Sequence, residues 1–84
     1  MSLSRSAIKE LKTLDPPVRR LILDALEEVS TLDDPRVRGK ALTGSWGGFW
    51  RYRVGNYRII CEINDSELRI LAVKVAHRSK AYKN

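Results

Sequence analysis

Arginine is well built to hold phosphate, because it stays charged and its planar guanidinium forks around two oxygens. This 84-residue chain carries three arginines in one short stretch, Phe49-Trp50-Arg51-Tyr52-Arg53-Val54-Gly55-Asn56-Tyr57-Arg58-Ile59-Ile60-Cys61-Glu62-Ile63. Gly55-Asn56 is a two-residue turn signal between two runs rich in β-forming residues. Such a turn pairs Val54 with Tyr57, Arg53 with Arg58, Tyr52 with Ile59, Arg51 with Ile60 and Trp50 with Cys61. Side chains alternate along a strand and opposed residues share a face. One face therefore carries Trp50, Tyr52, Val54, Tyr57, Ile59 and Cys61, and the other carries Arg51, Arg53 and Arg58. Opposed like charges such as Arg53 and Arg58 destabilise a sheet. A cluster that works against folding points to binding, and phosphate is the expected ligand.

The whole chain leans the same way. Sixteen Lys and Arg against ten Asp and Glu give a net charge of +6, which favours a polyanionic partner, nucleic acid or an acidic protein. The plain alternative is a basic surface without a partner. One cysteine, Cys61, excludes a disulfide framework and a cysteine-based zinc site. With one histidine, His77, no protein-only metal site is expected, and no cofactor is implied. No long apolar run is present, so neither a transmembrane helix nor a signal peptide is expected, and the cytoplasm is the expected compartment.

The elements that must position the arginines read as follows. Residues 4–14 form a short helix with Ser4 as N-cap and Ile8, Leu11 and Leu14 as its apolar stripe. Asp15-Pro16-Pro17 ends it and starts a second helix, which runs to about Ser30 with the stripe Val18, Leu21, Ile22, Ala25, Leu26 and Val29. From Thr31 to Gly48 periodicity is lost in a connection marked by Asp33-Asp34-Pro35 and four glycines. Arg36, Arg38 and Lys40 make it positive. Trp46 either anchors this loop on the core or stacks on a base, and the anchor is favoured. After the hairpin, Asn64 to Glu67 turns the chain into a strand over Leu68 to Ala76. Its apolar residues fall on both faces, as in a central strand covered on both sides; a one-residue shift would flip every side chain, so its faces stay unassigned. The expected fold is one domain over 1–84, α+β, with an N-terminal helical hairpin packed on a small antiparallel sheet, a three-stranded meander. The helices cover the Trp50/Tyr52/Ile59 face and leave the arginine face open.

In order along the chain stand Ala41-Leu42-Thr43-Gly44, Phe49 to Arg53, Tyr57-Arg58-Ile59-Ile60 and Val75-Ala76-His77-Arg78, with Tyr82 beyond. This series resembles the RelE-type toxins of the RelE/ParE toxin–antitoxin superfamily. The opening Ser4-Arg5-Ser6-Ala7-Ile8-Lys9-Glu10-Leu11 is similar to the start of their first helix. No single piece is specific, but the ordered combination is, and it covers nearly the whole chain. The resemblance implies a ribosome-dependent endoribonuclease that cuts messenger RNA in the A site without a metal. The 2′-hydroxyl attacks the neighbouring phosphate, leaving a 2′,3′-cyclic end. It also implies a cognate RelB-like antitoxin that wraps the toxin with an acidic segment, and promoter DNA bound through that complex. Arg51 and Arg53 stand where the family has basic residues on one strand, and Arg58 stands at its arginine on the next. Arg78 and Tyr82 match the basic and tyrosine positions near the C-terminus, and His77 matches the histidine of the H-R variant. Arg36, Arg38, Lys40 and Lys80 join Arg51 and Arg53 as RNA-binding cations. Two departures stand out. Family members open with a β-strand, and only three residues precede Ser4 here, so that strand is expected to be truncated or missing. The interval from Arg78 to Tyr82 is also shorter than in the best-studied members.

That reaction needs a base for the 2′-hydroxyl, cations for the phosphate and an acid for the leaving oxygen. Arginine fills the second role and is a poor base, with a pKa above ~12. The base is Tyr82 or His77: cations around a phenol favour its ionised form, and an imidazole starts near ~6.5. The expected assignment is Tyr82 as base and Arg78 as charge stabiliser, with His77 the rival base and Arg58 on the phosphate. Two competing functions remain open: a ParE-like toxin acting on DNA gyrase, and a non-catalytic nucleic-acid-binding or degenerate toxin.

Overall fold

The computed structural model describes residues 1–65 and 67–75. Strand β1 (Ser2–Leu3) leads into helix α1 (Arg5–Lys12) and helix α2 (Pro16–Ser30). A connection with 3-10 turns at Pro35–Val37 and Gly44–Trp46 encloses the short strand β2 (Lys40–Ala41). Strands β3 (Trp50–Val54), β4 (Tyr57–Asn64) and β5 (Glu67–Val75) follow. The described strands form one sheet in the order β1-β5-β4-β3-β2, with β1 parallel to β5 and the other pairs antiparallel.

The class is the expected α+β, but the sheet has five strands and not three. The first strand is present, two residues long, with Ser2 and Leu3 in register with Arg69 and Ile70. Ser4 extends this pairing, donating its N–H to Ile70 O at 2.8 Å, and it also caps α1, accepting from Ala7 N at 3.1 Å. One residue therefore ends the strand and begins the helix. The other added strand, β2, forms because Lys40 and Ala41 pair with Arg51 and Trp50 inside what reads as irregular loop.

Both helices lie on the Tyr52/Ile59 face. The core is Ala7, Leu11, Ile22, Leu26, Val29, Tyr52, Ile59, Cys61, Leu68, Ile70 and Val73. The helical stripes differ from expectation in detail. Ile8 is 42% exposed, and Ala7 takes its place with Leu11, a small residue letting α1 approach β5 closely. In α2, Ile22, Leu26 and Val29 form the buried i, i+4, i+7 line, and Leu21 stays 57% exposed.

The apolar run in β5 has a different cause from two-sided burial. Ile60 pairs with Ala72 and Cys61 with Ile70, so Leu71 is an extra residue, a β-bulge. The alternation switches phase there. Leu68 and Ile70 face the core before the bulge, Val73 after it, and Leu71 and Ala72 are only half-buried.

Candidate nucleic-acid interface

The arginine hairpin folds as its turn dictates. Gly55 has φ +57°, as the first central position of a two-residue type II′ turn requires. The register is Trp50 with Cys61, Arg51 with Ile60, Tyr52 with Ile59, Arg53 with Arg58 and Val54 with Tyr57. Tyr52, Ile59 and Cys61 are buried against the helices, so Arg51, Arg53 and Arg58 share the uncovered face. Among the described residues none of these three has an ion-pair or side-chain hydrogen-bond partner.

Neighbouring strands enlarge this group. Lys40 is in register with Arg51, and Lys74 with Arg58, so both rise from the same face. One row across the sheet reads Arg53, Arg58, Lys74, and the next reads Lys40, Arg51, Ile60, Ala72. Strands in a sheet are ~4.8 Å apart, so Arg53 and Arg58 are immediate neighbours, whereas the Lys74 ammonium turns away to Glu10 Oε2 at 2.5 Å. The carboxylates on this face lie toward the opposite end, at the β4–β5 turn. Glu62 is in register with Arg69, and Glu67 pairs with the N-terminal amine at 3.3 Å. Among the described residues the charged positions at the Gly55 end of this face are all basic, an arrangement suited to binding two or more phosphates along a backbone.

Lys74 has no place in the sequence-based set. The signal that could find it is the run Ile70-Leu71-Ala72-Val73, which breaks strict alternation and marks the bulge that turns Lys74 outward.

The loop arginines serve other partners. The Arg36 guanidinium donates to Ile63 O at 3.2 Å and Asp65 O at 3.1 Å, and it pairs with Asp34 at 3.3 Å. It fastens the connection to the β4–β5 turn. Arg38 pairs with Glu28 of α2 at 3.5 Å. His77, Arg78, Lys80 and Tyr82 lie outside the described residues.

Trp50 packs against the core as expected, and Trp46 does not take the anchoring role expected of it. Trp46 is 59% exposed and meets Phe49 edge-on at 6.0 Å, so it does not anchor the loop on the core. Trp50 does that work, donating its indole N–H to Arg38 O at 2.6 Å. Gly39 permits the contact: its φ is +77°, and a Cβ there would lie 2.6 Å from Arg51 O and 2.7 Å from the Trp50 indole nitrogen.

The buried titratable groups are not candidates for proton transfer. Burial pushes the Cys61 thiol up to about 12. Burial, then the neighbouring Cys61, pushes the Tyr52 phenol up to about 12 against the opposing pull of Arg36, and its hydroxyl donates to Pro35 O at 2.7 Å. Both stay neutral and structural. Among the described residues no group of three or more His, Cys, Asp or Glu could hold a metal ion. Among them, too, no helix is long and apolar enough to cross a membrane.

Comparison with known proteins gives this geometry a family. Residues 1–82 match the family described as the ParE toxin of the type II toxin–antitoxin system parDE. The chain is 30% identical over 82 residues to Toxin RelE3 of Methanocaldococcus jannaschii, covering 94% of this chain and 90% of that protein. Its fold is similar to the toxin–antitoxin complex RelBE2 of Mycobacterium tuberculosis, with a TM-score of 0.79 and 26% identity over 90% of each chain. It is also similar to the RelE–RelB complex of Pyrococcus horikoshii, with a TM-score of 0.71 and 26% identity over 92% of this chain and 93% of that one. The chain belongs to the RelE/ParE superfamily and is a RelE-type toxin of a type II toxin–antitoxin system.

Proposed function

We propose that this toxin is a ribosome-dependent endoribonuclease that cleaves messenger RNA in the A site, using the sheet's basic face to hold the scissile region. The observation that carries the reading is the Arg53–Arg58 pair beside Arg51 and Lys40, a face that folding alone gives no reason to keep. Arg58 and Arg53 grip the phosphate and offset its growing charge as the 2′-hydroxyl attacks. Tyr82 takes the hydroxyl proton, with His77 the rival for that role. Arg78 stabilises the developing charge and donates the proton that the leaving 5′-oxygen takes as its bond to phosphorus breaks and the cyclic phosphate forms. The tail that carries these residues continues from β5, whose last described residue, Val75, is in register with Tyr57 beside Arg58. No metal takes part. Ribosomes place the action in the cytoplasm.

The partner is a RelB-like antitoxin. Relatives of this fold are known as RelB–RelE complexes, and an acidic segment folding over the basic face would neutralise it and occlude RNA. Promoter DNA would be bound through that complex.

A second reading, inhibition of DNA gyrase, is favoured by the ParE description of the matching family. Induced expression in bacteria separates the two. Collapse of amino-acid incorporation without DNA breakage supports the nuclease. DNA breakage with translation initially intact overturns it in favour of the gyrase reading. Harmless expression without an antitoxin, by folded protein that binds RNA but leaves message intact, would mark a binding-only degenerate toxin.

A further inference from the structure

Lys74 is placed on the basic face by its backbone and taken off it by its side chain. Its register partner is Arg58, so its Cβ rises from the uncovered face. Its ammonium nevertheless sits 2.5 Å from Glu10 Oε2, on a helix of the opposite layer. The stem bends around the edge of β5, which among the described residues β1 covers only at Arg69 and Ile70. Glu10 is fixed there independently, because its Oε1 accepts the Val73 N–H at 2.9 Å. The carboxylate fills the place of a missing neighbouring strand and holds the lysine with its other oxygen.

We propose that Lys74 is a phosphate-contacting residue of the basic face that Glu10 withholds, so that polyanion binding and the Glu10 ion pair compete for one ammonium. The inference rests on the nucleic-acid reading above and names a residue and a control element that reading does not need. In the free protein a third cation beside Arg53 and Arg58 would be repelled, and Glu10 relieves that repulsion. With phosphate on the face the balance reverses. The hold is weak enough to break, since the Lys74 side chain is 64% exposed and exposed pairs contribute little. Lysine's flexible stem lets the ammonium swing between the two sites. Glu10 stays on Val73 when the lysine leaves, so release needs no rearrangement of β5.

The test is binding of a short labelled RNA with 2′-O-methyl sugars, which 2′-hydroxyl attack cannot cut, titrated across a range of salt. Glu10→Gln keeps an acceptor for Val73 and loses the ion pair. Asp24→Asn, at an exposed position of α2, gives the same change in net charge away from Lys74. Glu10→Gln should bind about 3- to 10-fold tighter and Asp24→Asn less than about 2-fold tighter. Lys74→Ala should bind about 3-fold more weakly, with a salt slope shallower by about 0.7, the value of one single-strand phosphate contact. The double variant should match Lys74→Ala. Equal gains in Glu10→Gln and Asp24→Asn, or an unchanged affinity and slope in Lys74→Ala, overturn the proposal while leaving the nucleic-acid reading intact. Failure of the unaltered toxin to bind at low salt overturns both.

Discussion

Arg58 and Arg36 are the same residue type and lie in opposite circumstances. Arg58 opposes Arg53 on the uncovered face without a partner among the described residues. Arg36 is bound into the carbonyls of Ile63 and Asp65. Arg58→Ala should therefore reduce RNA cleavage by about 10²-fold or more, as loss of a charge-stabilising donor does, and leave thermal stability unchanged or slightly raised. Arg36→Ala should lower stability by about 1–2 kcal/mol, because it removes hydrogen bonds made by a charged donor. Cleavage should fall much less. Denaturant unfolding and cleavage rates on both variants check the pair, and the reverse pattern would reassign the two side chains. The face of Arg58 was legible because period-two alternation and a two-residue turn fix it within fifteen contiguous residues. The role of Arg36 was not, because its partners lie 27 and 29 residues away. A positive charge in a loop reads alike whether it meets RNA or a turn.

At the scale of elements, the hairpin and both helices follow from local pattern, with Ser4 capping α1 and prolines opening α2, whereas the sheet's two outer strands do not. β1 and β2 are two residues each and exist only through pairing, β1 with a strand far along the chain. No hydrophobic period can announce so short a segment. β2 depends on Gly39, whose backbone passes against Trp50 and Arg51 in a conformation that suits glycine. Gly39→Ala should destabilise by about 2 kcal/mol or more, from a positive φ and a collision with backbone. A melting temperature within a degree or so of the original would show that the loop can relax. Glu10 governs the other side of the sheet. Burial raises its pKa, but the bonds from Lys74 and the Val73 N–H outweigh that and leave it below the ordinary 4.5. A carboxyl lowered on folding stabilises above its unfolded pKa, and that contribution is lost as pH falls through the lower folded value. Stability should thus fall more steeply with acid below pH ~4.5 in the natural protein than in Glu10→Gln. Parallel melting curves for the two would remove Glu10 from the account.

Across the molecule the described residues form two layers around a shared core, and that core holds an internal reporter. Cys61 is fully buried, with a thiol pushed up to about 12. Alkylation at neutral pH should be negligible in the native state and should report global opening; fast labelling would mean that the sheet opens locally. Fold class and family were legible across the chain because the arginine hairpin, helix pair and terminal residues occur in a specific order. The register of Lys74 with Arg58 was hidden by a bulge, a feature set by the pairing of β4 with β5. If this open face serves RNA cleavage on the ribosome, purified toxin added to programmed 70S ribosomes with a defined codon in the A site will leave new message ends that can be mapped. Cuts are expected within the A-site codon, carrying 2′,3′-cyclic ends, lost in an Arg58/Arg78 double alanine variant and slowed at least about tenfold in Tyr82→Phe or His77→Ala. Intact message in the presence of folded toxin, or cleavage that the double variant retains, would contradict that role of the face.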